Sequence, residues 1–196
     1  MSLVVVPTGT ANTASVLAAF RRLGAEPAVA ATPEEVEQAE RVVLPGVGSF
    51  GAAAQEVDRA GMRQTLTDRI SRGRPTLAIC VGMQLLARRS KESDDAVGLR
   101  VIDQEVGIFP GSVRVPQLGW NQVSAGPGCR FVDDGWAYFA NSYRLSEVPD
   151  GWNAAVTDHG GRFVSALERG GVLACQFHPE LSGSWGSAVL ARWLRA

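Results

Sequence analysis

The chain has 196 residues, with 19 Lys and Arg against 20 Asp and Glu for a formal net charge of −1, and 45% of it is hydrophobic. At about 100–200 residues per domain this predicts a single domain, 1–196, able to bury a core without disulfides or a structural metal. The composition excludes a disordered chain, and the charge balance offers no general attraction to nucleic acid or to an anionic membrane. Apolar runs such as 3–6 and 76–81 fall far short of the roughly 18 residues of a membrane span. No basic stretch precedes an apolar one at the N-terminus, so a cytoplasmic location is expected. The three cysteines (Cys80, Cys129, Cys175) are odd in number and sparse, which fits a reducing compartment. With two histidines and no CxxC, HxH or HExxH spacing, neither a metal nor another cofactor is expected.

The first half of the chain alternates strand and helix signals. Residues 3–6 are a β-branched run, and 12–23 follow with Val16, Phe20 and Leu23 at helical spacing before Gly24. A second strand is expected at 28–31. Thr32-Pro33-Glu34-Glu35 then reads as a capping box, with Thr32 at the N-cap, Pro33 at the first helical position and Glu35 at the third. A third strand, 41–44, ends at Pro45 and the glycine-rich Gly46-Val47-Gly48-Ser49-Phe50-Gly51. Helical pattern resumes over 62–70 and stops at Gly73-Arg74-Pro75; a fourth strand, 76–79, runs straight into Cys80 and a helix expected at 83–89. This alternation implies a parallel sheet covered on both faces. Beyond about residue 98 the pattern becomes short strands, at 112–115, 120–123, 136–140, 152–157, 162–167 and 172–177, separated by Gly, Pro and Asp turns. A helix over 185–194, with Trp185, Val189 and Trp193 on one face, closes an α/β fold with an antiparallel insertion.

Cys80 stands at a strand-to-helix junction in Ala78-Ile79-Cys80-Val81-Gly82, with small residues two positions away on each side. A nucleophile elbow has this form: a tight turn projects the reactive side chain, and only small neighbours fit the bend. N–H groups at the start of the following helix favour a thiolate there. Most free cysteines are inert core, and Cys129 and Cys175 keep that reading. His178-Pro179-Glu180 directly follows a strand, where a histidine with a nearby carboxylate serves as an oriented general base or as a plain strand-end hydrogen-bonding residue. His159 lies in a turn and is the poorer base. Gly46-Val47-Gly48, after a strand, lets backbone N–H groups approach an anion or form half an oxyanion hole, and otherwise is a tight turn.

Taken together these segments resemble the class I, triad-type glutamine amidotransferases. The resemblance rests on Gly9-Thr10-Ala11-Asn12, Leu44-Pro45-Gly46-Val47-Gly48-Ser49-Phe50-Gly51, Ile79-Cys80-Val81-Gly82-Met83-Gln84-Leu85-Leu86, Val115-Pro116-Gln117-Leu118-Gly119-Trp120-Asn121, Tyr138-Phe139-Ala140-Asn141-Ser142-Tyr143 and Gln176-Phe177-His178-Pro179-Glu180. The PGVG loop and the PxxGWN segment resemble the glutaminase subunits that serve histidine biosynthesis. The resemblance implies a flavodoxin-like open, mostly parallel sheet with helices on both faces. It also implies Cys80 as nucleophile, His178 as base and Glu180 as the group orienting His178. The oxyanion hole would come from the N–H of Val81 and the loop of Val47 and Gly48; Gly48, Gln84, Glu92, Ser142 and Tyr143 would hold glutamine. Asn12, Pro116, Trp120, Asn121, Tyr138 and Leu181 would face a separate (β/α)8-barrel cyclase, to which ammonia passes within a heterodimer. Ala78, Gln117, Asn141 and Leu181 depart from the usual residues of that pattern. The rival readings are a glutaminase serving another synthase, such as that of pyridoxal phosphate, a stand-alone cysteine peptidase, and a flavodoxin-like binding module whose Cys80 is redox-sensitive.

Overall fold

A computed structural model describes residues 1–9 and 13–196; Thr10, Ala11 and the expected interface residue Asn12 lie outside the described residues. The first half builds β1 (Leu3–Val5), α1 (Thr13–Arg22), β2 (Pro27–Val29), α2 (Pro33–Gln38), β3 (Arg41–Leu44), α3 (Phe50–Arg59), α4 (Arg63–Ser71), β4 (Thr76–Ile79) and α5 (Val81–Gln84). Two short strands, β5 (Arg89–Ser90) and β6 (Glu105–Ile108), lead to β7 (Gln117–Ala125), β8 (Gly135–Asn141), β9 (Tyr143–Arg144), β10 (Asn153–Asp158), β11 (Arg162–Arg169) and β12 (Val172–Cys175). A 3-10 turn, Pro179–Leu181, precedes α6 (Gly183–Arg195).

The large sheet has the order β2-β1-β3-β4-β12-β11-β10-β7-β8. Its first five strands are mutually parallel, in the 2-1-3-4-5 order of flavodoxin-like sheets. The remaining strands add on antiparallel, as the turn-rich second half of the sequence requires. β3, β4 and β12 are buried at every position. Strands covered by helices on both faces read as continuous apolar runs for this reason. Their register aligns the strand ends: Leu44 pairs with Ala78, Ala78 with Ala174 and Ile79 with Cys175. The segments after Leu44, Ile79 and Cys175 therefore leave the sheet side by side, at the carboxyl edge where open α/β sheets bind ligands.

Local sequence explains the helix boundaries. Thr32 Oγ1 accepts from Glu35 N–H, and Glu35 reaches back to Ala31 N–H at 2.7 Å, one residue before the position a capping box usually serves. Ser49 caps α3 by accepting from Ala52 N–H; this helix, absent from the sequence reading, was signalled by that cap and the alanines behind it. In α6, Val189, Leu190 and Trp193 are buried, and Trp193 meets Phe20 of α1 at 6.0 Å between rings. Arg69 is fully buried and donates to the carbonyls of Val36, Glu40 and Pro75 and to Thr76 Oγ1. Burial lowers its pKa to about 10, so it remains a cation at neutral pH. One cluster of buried apolar residues runs from Leu3 to Leu194. Among the described residues, no helix is long and apolar enough to cross a membrane.

Two expectations need correction. The helix expected at 83–89 is the single turn α5. The carbonyls of Leu85, Leu86 and Ala87 accept instead from the N–H groups of residues 99–102, so a returning loop takes the bonds that would extend the helix. Residues 112–115 form no strand: they lie between Pro110 and Pro116, neither of which can donate to a ladder, and Val113 N–H is satisfied locally by Pro110. β5, β6 and β9, which form a separate small sheet, went unread because two to four residues carry too little alternation to stand out.

The loop that ends α5 turns at Gly98, where an added Cβ would lie 1.9 Å from the Ala87 carbonyl oxygen. Gly98→Ala is expected to lower the unfolding free energy by about 3 kcal/mol or more. Gly107→Ala, where an added Cβ meets nothing within 4 Å, should stay within about 0.5 kcal/mol. Urea denaturation of the two variants checks the contrast.

Candidate active site

Cys80 and Arg100 are the only non-glycine residues with positive φ among those described. Cys80, at φ 54°, links β4 to α5 while its N–H donates to the Cys175 carbonyl at 2.7 Å, so the bend is held against β12. A side chain in this region costs on the order of 1–3 kcal/mol and persists only where its surroundings enforce it. The small neighbours make the bend possible: a Cβ on Gly82 would lie 2.0 Å from the Leu44 carbonyl oxygen, and one on Gly46 would lie 2.7 Å from Gly82 N. Ala78, fully buried between β3 and β12, fits with its methyl in place. Because α5 is one turn long, its contribution at the sulfur is that of individual N–H groups rather than of a helix dipole.

His178 leaves β12 three residues beyond its end, and its N–H donates to Tyr138 of β8 at 2.9 Å. Ser182 Oγ donates to the His178 carbonyl and accepts from Tyr138 N–H, which ties the histidine turn to β8 a second time. Nδ1 of His178 is 2.9 Å from Glu180 Oε1, with both side chains buried. The other ring nitrogen is left free of Glu180, and His178 and Cys80 line the same cavity. Burial alone would lower the imidazole pKa; the hydrogen bonds to Cys80 and Glu180, and the charges of both, outweigh it and push His178 up to about 10. The imidazolium thus persists at neutral pH, between the sulfur and the carboxylate. The other thiols are governed by burial, which raises Cys129 and holds Cys175 well above the ordinary thiol range, with Glu168 adding to both.

A cavity of about 180 Å³ opens at Cys80 and His178, lined further by Val47, Gly48, Val81, Gln84, Glu92, Ser142 and Tyr143. Every residue the sequence assigned to nucleophile, base, oxyanion loop or substrate binding therefore lines this one cavity, except Glu180, which stands behind His178. Its volume lies below the roughly 300–1,000 Å³ of pockets for drug-sized ligands and suits a single small amino acid. Two details differ from a ready site. The Val81 N–H, expected to stabilise an oxyanion, donates to the Gly46 carbonyl at 3.3 Å. Glu92 accepts from Phe50 N–H at 2.6 Å, at the start of α3. Among the described residues, no group of three or more His, Cys, Asp or Glu could hold a metal ion.

The expected partner-facing residues divide into two places. Trp120 and Tyr138, paired across β7 and β8, meet edge to face at 6.2 Å, and exposed Leu181 lies in the turn between His178 and α6. With Leu118 and Trp136, both exposed on the same face of the strand pair, they form an apolar surface beside the histidine turn. Asn121 turns away and donates to the Asp158 carbonyl, and Pro116 is exposed at the start of β7. Two residues that depart from the family pattern, Gln117 and Asn141, are buried directly opposite each other in the β7–β8 register. The sequence reading assigned no role to Ala140 and Asn141, which line the cavity, to Ser182, or to Gln176, whose Nε2 lies 3.7 Å from Cys80 Sγ. The signal for Gln176 was its place in the motif, two residues before His178.

The chain matches the family model described as glutamine amidotransferase class-I over residues 4–195. It is 39% identical to the imidazole glycerol phosphate synthase subunit HisH of Symbiobacterium thermophilum, over 98% of this chain and 93% of that one. It is 36% identical to the HisH subunit of Methanothermobacter thermautotrophicus, over 98% and 97%. The chloroplastic imidazole glycerol phosphate synthase hisHF of Arabidopsis thaliana is 39% identical over 95% of this chain, which spans 33% of that longer protein. A crystal structure of a glutamine amidotransferase superposes with a TM-score of 0.79 at 18% identity, covering 100% of this chain and 98% of the other, and supports the fold. Identity at this level over nearly the full length gives the placement: the chain belongs to the class-I glutamine amidotransferases, among the HisH subunits of imidazole glycerol phosphate synthase.

Proposed function

We propose that residues 1–196 form one amidotransferase domain in which Cys80, His178 and Glu180 hydrolyse glutamine, and that the ammonia passes to a separate (β/α)8-barrel cyclase in the cytoplasm. The observation that carries this reading is His178 placed between Cys80 and Glu180 on the wall of a cavity of amino-acid size. That volume disfavours a peptidase, which needs an open cleft for a chain. The relatives named imidazole glycerol phosphate synthase disfavour a glutaminase of another synthase. The apolar surface of Trp120, Tyr138, Leu118 and Leu181 beside the histidine turn is where the cyclase would seat.

In the first half-reaction the Cys80 thiolate attacks the side-chain carbonyl carbon of glutamine. A C–S bond forms and the carbonyl oxygen takes up the negative charge. The His178 imidazolium gives its proton to the amide nitrogen, the C–N bond breaks, ammonia leaves, and a γ-glutamyl thioester remains on Cys80. Acylation also removes the sulfur's charge and its hydrogen bond to His178, two of the influences that raise the imidazole pKa. The now neutral imidazole takes a proton from water as the water attacks the thioester. Collapse of this second tetrahedral species breaks the C–S bond, releases glutamate and restores the thiolate. Glu180 keeps Nδ1 protonated throughout, so Nε2 alone exchanges the proton.

The Gly46 carbonyl on Val81 N–H explains how this chemistry is restrained. An oxyanion donor is worth about 2.7–4 kcal/mol, on the order of 10²–10³ in kcat. With Val81 N–H engaged by Gly46, glutamine binds but the tetrahedral species lacks one donor. Reorientation of the Gly46-Val47-Gly48 peptides on cyclase binding would free it.

Glutamate release from glutamine, measured with the chain alone and with the liganded cyclase, tests the reading. A rise in kcat of about 10²–10³ with little change in KM is expected, and Cys80→Ala should abolish release in both conditions; undiminished release by that variant rejects the nucleophile. Alkylating Cys80 with iodoacetamide removes the sulfur's charge and should lower the His178 pKa from about 10. An NMR titration, simplified by the presence of only two histidines, reads this directly. An unchanged titration would contradict an interaction between His178 and the sulfur.

A further inference from the structure

Behind the cavity wall, Gln84, Gln176 and Cys80 are joined in one directed series of hydrogen bonds. Gln84 Nε2 lies 3.2 Å from the Tyr143 carbonyl oxygen and 3.0 Å from Gln176 Oε1, and Gln176 Nε2 lies 3.7 Å from Cys80 Sγ. A carboxamide can be turned end for end with little change of shape, so its surroundings must decide which end donates. Here one backbone group decides it. The Tyr143 carbonyl only accepts, so the nitrogen of Gln84 must face it. The second hydrogen of that nitrogen requires an acceptor, which turns Gln176 Oε1 towards Gln84 and the Gln176 N–H groups towards the sulfur. Both hydrogens of Gln84 are then used, and its oxygen is left to face the cavity that Gln84 lines. Gln176 itself is fully buried, with its backbone N–H held by the Ser165 carbonyl at 2.9 Å, so no solvent molecule competes for these contacts.

We propose that Gln176 is a positioning residue for both ends of the substrate: its N–H supports Cys80 Sγ as a charged nucleophile, and its oxygen holds Gln84 so that the Gln84 oxygen receives the α-ammonium group of glutamine. The inference rests on the reading of Cys80 as nucleophile. An N–H donor binds a thiolate more strongly than a neutral thioester sulfur, so Gln176 raises the reactive fraction before attack and releases the sulfur after it. The accompanying loss of intrinsic nucleophilicity is smaller than the gain in thiolate, since reactivity follows basicity with a slope of about 0.4–0.5. Sulfur ionisation and substrate orientation thereby share one buried side chain, whose direction is set by the Tyr143 carbonyl.

Gln176→Met keeps the length of the side chain and removes both its donor and its acceptor. In the folded variant, alkylation of Cys80 by iodoacetamide at pH 7 is expected to slow about tenfold, with its pH profile displaced to higher pH. The KM for glutamine should rise several-fold as Gln84 loses its fixed orientation. A side chain that only fills space would leave the alkylation profile in place, and that result overturns the proposal. The wild-type protein gives a second reading that does not depend on the variant folding: the side-chain amide resonance of Gln176 should shift when Cys80 is alkylated, and a stationary resonance overturns the proposal. Cys80→Ala separates the two levels of the account. If that variant still releases glutamate, the nucleophile assignment fails; if it is inactive while Gln176→Met leaves alkylation and KM unchanged, only the role of Gln176 fails.

Discussion

The site depends on a backbone conformation that an L-residue rarely adopts. Cys80 at φ 54° is the junction where β4 must stop and α5 must start within one residue. Two neighbouring strands hold it there. β12 accepts its N–H through Cys175, β3 lies so close that Gly82 can carry no side chain, and Gly46 just after β3 is closed in the same way by Val81 and Gly82. The strain is local, and it is opposed by the burial of β3, β4 and β12, whose apolar side chains are removed from water on both faces of the sheet. The register of those strands also delivers the glycine loop, the sulfur and the histidine to a single edge. Packing in the sheet and geometry at the sulfur are therefore one constraint.

The polar groups around that fixed sulfur suit the short proton transfer proposed above. Glu180 takes one nitrogen of His178, so the other is available to the sulfur and then to the substrate. Burial opposes charge on the imidazole, and the interactions with Cys80 and Glu180 reverse that effect. In the proposed reaction, acylation of Cys80 would remove one of these influences and shift the balance towards the neutral ring at the step where a base is needed. Ser182 and Tyr138 hold the turn that carries His178 to β8, the strand whose outer face carries exposed Trp136 and half-buried Tyr138. A partner seated there would press on the element that anchors the base, and the Gly46-Val47-Gly48 loop would be the neighbouring element free to respond.

Much of this was legible in the sequence because the strands at the centre of the sheet are short, apolar and punctuated. The runs 41–44 and 76–79 coincide with β3 and β4, and the glycine loop and the elbow follow them directly, whereas the strand expected at 172–177 stops at Cys175, three residues before His178. What escaped was set by contacts distant in sequence. The helix after Cys80 is cut to one turn by hydrogen bonds from residues 99–102, which no local propensity registers. The contact of Gln176 with the sulfur depends on parallel pairing of β12 with β4. The bond between Val81 N–H and the Gly46 carbonyl depends on the rotation of a single peptide, which residue identity leaves open. The separation of Asn121 from Trp120 follows from strand alternation and was available from the sequence, but adjacency in a motif obscured it.

The central claim is covalent: glutamine is opened by Cys80 through a γ-glutamyl thioester. Mass spectrometry of the protein, quenched in acid during turnover and then digested, tests it most directly. The account expects one γ-glutamyl group on the peptide that contains Cys80, appearing with substrate and lost as glutamine is exhausted. Turnover with no such adduct at any quench time, or an adduct confined to Cys129 or Cys175, would contradict it.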